Sequence, residues 1–330
     1  MNKKKMMMVS GIIFSSIFLM AVVISDSALG QGKFPSRPIT IIVAFPGGSG
    51  ADMTARLLQK LVQKDLGQPI IVMNKAGAAG FLGFTAGATA SPDGYTVTML
   101  SPSVIVVPHT VPGSEVSIRN FDPLCLITSA PVVIAVRQDA PWKDFKEFID
   151  YAKKNPGKIR ISNNGHGGLF HLSAVGAELA TGTKLTHLPF KGGAEAMMAV
   201  VGGHAEAGLA SVPNTIELIR GRKLRGLAIP AKERFFAIPD VPTFKELGID
   251  YDSGGTWFGL AAPKGTPKEH IKILTDALKT AIETSEFREH VMKGGMAVPY
   301  LGPEEFGKFL EEQDKMFARI VASAGLKGQK

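Results

Sequence analysis

Residues 45–52 read Phe-Pro-Gly-Gly-Ser-Gly-Ala-Asp, and their chemistry is that of an anion cradle. Gly47, Gly48 and Gly50 let backbone N–H groups come close to a ligand. Ser49 and Asp52 have the S-x-x-D spacing of a capping box, so the loop opens a helix whose free N–H groups and positive dipole end suit a carboxylate or a phosphate. Nucleotide readings fail on detail. No Lys follows the glycines as a Walker loop requires, and Gly48-Ser49-Gly50 is followed by Met53 where the dinucleotide fingerprint needs a third glycine. A second glycine-rich loop, 74–83 (NKAGAAGFLG, with Ala79 and Gly80), repeats this logic. A third, 162–172 (SNNGHGGLFHL), carries Asn164, Gly165, His166 and Gly167 into a helix containing His171. His166-Gly167-Gly168 has the look of an esterase oxyanion loop. However, the nearest nucleophile elbow, Gly47-Gly48-Ser49-Gly50-Ala51, lacks its last glycine, and its serine reads as a cap. His166 and His171 are five apart, which is not a helical metal pair, and no H-E-x-x-H occurs.

The elements around these loops alternate. Strand-like stretches are 38–44, 68–73, 95–100, 131–137, 158–162, 184–188, 206–210, 224–229 and 256–262. Helical periodicity falls near 50–65, 80–90, 143–154, 168–181, 192–202, 213–221, 267–284 and 303–322. Such alternation predicts βαβ units and mostly parallel sheets, with ligands at the carboxyl ends of strands. Ser101 and Ser103 follow one strand, and Ser211 and Asn214 follow another, so each pair is placed either to meet a ligand or to cap the next segment. Lys191 stands beside a helix start, either pairing with a distal carboxylate or solvated. Trp257 and the Met197-Met198 pair read as packing residues. No long linker interrupts the chain, so two domains would be joined by ordered strands, with PVVIAVR (131–137) and TWFGLAA (256–262) as the crossings.

The bulk numbers agree with a globular α/β chain. There are 330 residues, 45% apolar and 20% charged, with a formal charge of +8. The basic excess is dispersed among acids, which argues against nucleic acid as a partner. One cysteine, Cys125, forms no internal disulfide and offers no metal spacing. At the N-terminus, Lys3, Lys4 and Lys5 precede an apolar run at 11–24 and the small residues Ala28-Leu29-Gly30. This is the pattern of a secretory signal cut after Gly30. An uncleaved anchor needs ~20 apolar residues. Removing residues 1–30, which hold three Lys and one Asp, leaves a charge of +6.

The order of segments resembles the tripartite tricarboxylate transporter receptors, the extracytoplasmic solute-binding proteins also called Bug proteins. The matching pieces are FPSRPI (34–39), Phe45-Pro46-x-Gly48-x-Gly50-Ala51-Asp52, LGQPIIVMNKAGAAG (66–80), SPDGYT (91–96), PFKGG (189–193), GGHAEAGL (202–209), GRKLRGLA (221–228), IPDVPTFKELG (238–248) and WFGLAAPKGTP (257–267). They run in order through the whole mature chain. The resemblance implies a periplasmic binding protein type II-like fold, with two α/β domains joined by two crossing strands around a ligand cleft. Domain 1 would comprise residues 31–130 and 257–330, and domain 2 residues 131–256. It also implies a periplasmic receptor without enzymatic activity, cofactor or metal, and monomer is the default for a receptor that closes a cleft. Such a receptor grips a small carboxylate through Gly47 to Asp52 and Asn164 to His171 and delivers it to a permease with one large and one small membrane subunit. Two other uses stay open: a sensing receptor feeding a membrane sensor kinase, and an exported hydrolase using His166. Three departures from the family pattern stand out. Met73-Asn74-Lys75-Ala76 replaces the usual Glu-Asn-x-Pro, Ala210 stands where many relatives carry Asp, and His166 is unusual within its loop. Phe45, at the head of the first loop, completes the candidate site.

Overall fold

The structure is a computed structural model that describes residues 33–326 other than Pro112. The signal segment therefore lies outside the described residues, and among those described no helix is long and apolar enough to cross a membrane. Two five-stranded sheets form the framework. The first contains β1 (Ile39–Val43), β2 (Ile70–Asn74), β3 (Thr96–Leu100), β4 (Phe121–Ala130) and β10 (Thr256–Pro263), in the order β2-β1-β3-β10-β4. The second contains β5 (Val132–Arg137), β6 (Arg160–Asn163), β7 (Thr186–Pro189), β8 (Ala207–Ser211) and β9 (Leu224–Ala228), in the order β7-β6-β8-β5-β9.

Each sheet is more mixed than the alternation predicts. β1 pairs in parallel with β2 and β3, and β6 with β7 and β8, but β10 and β5 run antiparallel to both of their neighbours. The cause is the crossing between lobes. The chain passes from β4 to β5 through Pro131 and returns into β10 after Gly254 and Gly255. Ala130 pairs with Thr256 at one end of the first sheet, and Val132 pairs with Ser211 at the carboxyl end of β8. Both crossings thus lie at the carboxyl ends of the parallel strands, and a strand entering from that end must run backwards. PVVIAVR and TWFGLAA start at these crossings, and each then belongs to a single sheet.

Helices cover both faces of each sheet. α1 (Gly50–Leu66) places Ala51, Ala55, Leu58, Leu61 and Val62 on one side at helical spacing, and Gly67 ends it in the left-handed conformation. This face packs with Ile41, Val43 and the apolar side of α8 (Lys268–Glu283) and α9 (Ser285–Lys293). The opposite face of the sheet carries α2 (Phe81–Ala88), α3 (Ser103–Thr110) and α10 (Pro303–Ser323) around Phe84, Leu100, Val104, Phe306 and Phe317. Leu172 of the second lobe joins this cluster, so the two lobes share apolar contact. The second sheet is covered by α4 (Phe145–Lys154), α5 (Leu169–Thr181) and α6 (Gly193–Val201), and by α7 (Val212–Arg220). Trp257 is fully buried against Phe306 and Phe309. Of the methionine pair, only Met197 is core. Met198 is 54% exposed, because successive helical residues point about 100° apart.

Candidate functional site

β1 and β6 occupy equivalent places in the two sheets, and a glycine-rich loop leaves the carboxyl end of each. In the first loop the polar side chains turn inward. Ser49 caps α1, accepting from the Asp52 N–H at 3.3 Å. The Asp52 carboxylate, 3% exposed, reaches back one residue further than a capping box and accepts from Gly48 N–H at 2.8 Å. It also accepts from Asn74 Nδ2 at 2.9 Å and Arg56 Nε at 3.0 Å. Asn74 donates in addition to the Phe45 carbonyl at 3.0 Å, tying the end of β2 to the loop. The Arg56 bond, helped by Gly48 and Asn74, outweighs burial and holds the Asp52 carboxyl below its ordinary range.

What remains for a ligand is backbone. Among the described residues, the N–H groups of Gly47, Gly50 and Ala51 have no acceptor, and Gly47, Gly48 and Gly50 are exposed. The first turn of a helix always leaves such donors. Gly50 lies under the Phe258 ring, which would stand 3.4 Å from a Cβ there. The second loop packs against the first. Ala78, Ala79 and Gly80 take positive φ, and Gly80 packs on Phe84 and Ala44. Gly83 brings α2 so close that a Cβ would sit 2.5 Å from Ala44 Cα.

The second lobe reaches the same arrangement with different side chains. Asn163 Oδ1 accepts from Gly165 N–H at 3.1 Å, and Asn164 Oδ1 accepts from Phe170 N–H at 2.9 Å and His171 N–H at 3.4 Å. His171 Nδ1 accepts from Gly167 N–H at 3.1 Å. That bond requires a neutral ring. Burial, with the neighbouring His187 and His166 rings adding to it, pushes His171 down to about 4. The His171 ring lies 5.0 Å from that of His166 and 4.7 Å from that of His187, whose Nε2 meets Glu178 Oε2 at 2.7 Å. The N–H groups of His166 and Leu169 are left without an acceptor among the described residues. Gly167 presses across the lobes onto Thr110 of α3.

The remaining candidates divide. Ser101 is buried at the end of β3 with its Oγ unpartnered, whereas Ser103 only begins α3, whose cap is Pro102. Ser211 Oγ donates to Asn214 Oδ1 at 2.8 Å, so these two engage each other. Lys191 is exposed, its backbone N–H donating to Glu195 at 3.1 Å. Sequence reasoning missed Asn74, Arg56 and Asn163, the residues that shape the loops. The signal available for Arg56 was its i+4 spacing from Asp52. Among the described residues no cluster of His, Cys, Asp and Glu is arranged to hold a metal. Burial pushes the Cys125 thiol up, which makes it inert. A cavity of about 810 Å³ lies away from these loops, between α5 and α10.

Two lobes hinged at the carboxyl ends of their strands, with helix N-termini opening toward the space between them, define a solute-binding protein of the periplasmic binding class. The comparisons with known proteins agree. Residues 54–326 match the family model described as "Tripartite tricarboxylate transporter family receptor", TctC, and the chain belongs to that family. BugT of Bordetella pertussis is 30% identical over 99% of both chains. A TctC solute-binding protein from Polaromonas superposes with a TM-score of 0.80 at 33% identity, covering 88% of this chain and 99% of that one. MatC from Rhodopseudomonas palustris, solved with bound malate, gives a TM-score of 0.73 at 30% identity, covering 87% and 100%.

Proposed function

We propose that the protein is an extracytoplasmic receptor that captures a small organic carboxylate between its two lobes and hands it to a two-subunit membrane permease. One observation carries this reading. Both glycine-rich loops turn their polar side chains inward and leave helix-terminal N–H groups for an acceptor of negative charge. Such donors are worth most to an anion in a closed, partly dry cleft. Malate in the related MatC supports the ligand class. Permease delivery, and export through residues 1–30, rest on family membership and on the N-terminal pattern. The closing units are residues 31–130 with 257–330, and residues 131–256.

A thermal-shift screen against small carboxylates tests the reading. A ligand at 100 times its Kd adds about 2.7 kcal/mol of stability. The expected result is a selective carboxylate whose carboxamide analogue binds at least about tenfold more weakly by calorimetry. Equal binding of acid and amide would overturn the reading.

A further inference from the structure

We propose that Lys75 and Lys191 form a positive rim at the open side of the cleft that draws anionic solutes toward the amide donors before the lobes close. The proposal rests on the carboxylate reading above and adds the residues that govern approach. In both sheets the loop-bearing strand, β1 or β6, has the edge strand, β2 or β7, on the side away from the crossings. The ends of β2 and β7 therefore lie at the mouth. Lys75 directly follows β2, and its N–H donates to the Val43 carbonyl at 2.8 Å, which fixes it beside the first ligand loop. Lys191 comes two residues after β7. The preceding Phe190 N–H donates to the Asn163 carbonyl at 2.9 Å, and the Phe190 carbonyl lies 3.5 Å from where a Gly165 Cβ would stand. Lys191 is thus held beside the second loop.

Both side chains are exposed, and among the described residues neither ammonium has an acidic partner. Their neighbours differ in this respect. Arg56 is neutralised by Asp52. Glu195, which accepts from the Lys191 backbone, subtracts one charge at the rim. The positive ends of α1 and α5 add to what is left. A charge about 10 Å from a monoanion in water changes its local concentration by roughly twofold, and the effect survives only below a Debye length. Two lysines therefore contribute about fourfold at low salt, which Glu195 halves, a modest effect beside the roughly tenfold or more of strong electrostatic steering.

The test uses the unliganded protein and needs no identified ligand. Relaxation of backbone amides is measured by NMR with a carboxylate-bearing nitroxide and with its neutral carboxamide twin. At about 10 mM salt the amides of Gly47, Gly50, His166 and Leu169 are expected to relax at least about twofold faster with the anionic probe, and the excess should vanish near 0.5 M salt. Lys75→Gln with Lys191→Gln should cut the excess about fourfold, and Glu195→Gln should raise it. An excess unchanged by the double substitution would overturn the rim, whatever the carboxylate screen returns. A flat screen with a lysine-dependent excess would overturn the ligand class and leave the rim standing.

Discussion

Asp52→Asn isolates the loop network from loop shape. The amide has the same outline, but both carboxylate oxygens now receive N–H donors: Oδ2 from Gly48 and Arg56, and Oδ1 from Asn74. In either orientation the new NH₂ group meets a donor instead of an acceptor. A hydrogen bond to a charged group contributes about 1.5–3 kcal/mol. The Arg56 side chain is 52% exposed, so water recovers part of that loss. The expected cost is about 2–3 kcal/mol, or roughly 5–10 °C in Tm for a lobe of this size. Linkage adds a second signature. The folded carboxyl is held below its usual value near 3.8, chiefly by Arg56, so its contribution is complete above that pH and is lost as pH falls through the lower folded value. The difference in urea midpoint between wild type and variant should be constant from about pH 8 to 5 and shrink below about 4. Equal midpoints at pH 7, or a difference that persists undiminished at pH 3, would refute the network as the loop's organiser.

His171→Gln should flatten the acid limb of stability. The wild-type ring titrates near 4 when folded against 6.5 when free, so wild type loses up to about 3 kcal/mol between those values as pH falls, and the variant should not. Urea midpoints at pH 7, 6, 5 and 4 check this. Gly167→Ala should destabilise by about 1–2 kcal/mol, because φ there is +70° and a Cβ would lie 3.3 Å from Thr110 Cβ. Adding Thr110→Ala keeps that Cβ and removes only Cγ2 and Oγ1, at 3.4 and 3.6 Å, so it should recover little of the loss, as calorimetry would show. Gly83→Ala should cost more than about 2 kcal/mol, since its Cβ would meet Ala44 Cα at 2.5 Å and the Lys75 carbonyl at 2.8 Å, both backbone atoms that cannot swing aside. Chemical denaturation reads that loss directly.

The elements whose local pattern and tertiary role coincide were legible in the chain. α1 shows this, with its cap, apolar face and terminal Gly67 all written in the sequence. β4 did not announce itself. It carries Pro123 and runs through Ser129 and Ala130 into Pro131, so no turn chemistry separates it from β5. Only the change of partner, from β10 to β8 and β9, divides the two strands. α3 was hidden for a different reason. Its Val104, Ile105, Val106 and Val107 favour a strand and Pro108 opposes a helix, yet burial against Phe84 and α10 outweighs propensity. The helical periodicity near 267–284 stops at Thr284, which caps α9 by accepting from Phe287 N–H, and α9 itself, one residue behind α8, went unread.

The candidate site divides along the same line, and the division bears on specificity. The glycines are readable because backbone approach demands them. The partner of Asp52 is not, since Asn74 comes from the end of β2 and meets the first loop only in the folded chain, whereas Asn163 ends β6 itself and accepts from Gly165 N–H two residues on. The two lobes use unrelated side chains, a carboxylate with an arginine in one and asparagines with a histidine in the other, to reach the same result: polar atoms inward, N–H groups outward. Backbone donors recognise the negative charge of a carboxylate and are indifferent to the carbon skeleton behind it. Discrimination among carboxylates must then fall on side chains not committed to loop shape. Near the loops these include the Ser101 hydroxyl, buried and unpartnered, and the exposed His166 ring. Ser101→Ala should therefore change which carboxylate binds, whereas Asp52→Asn should weaken every carboxylate alike. Affinities of both variants across a matched series of hydroxy and deoxy acids distinguish the two. A uniform loss in Ser101→Ala would assign that hydroxyl to the frame instead of the ligand.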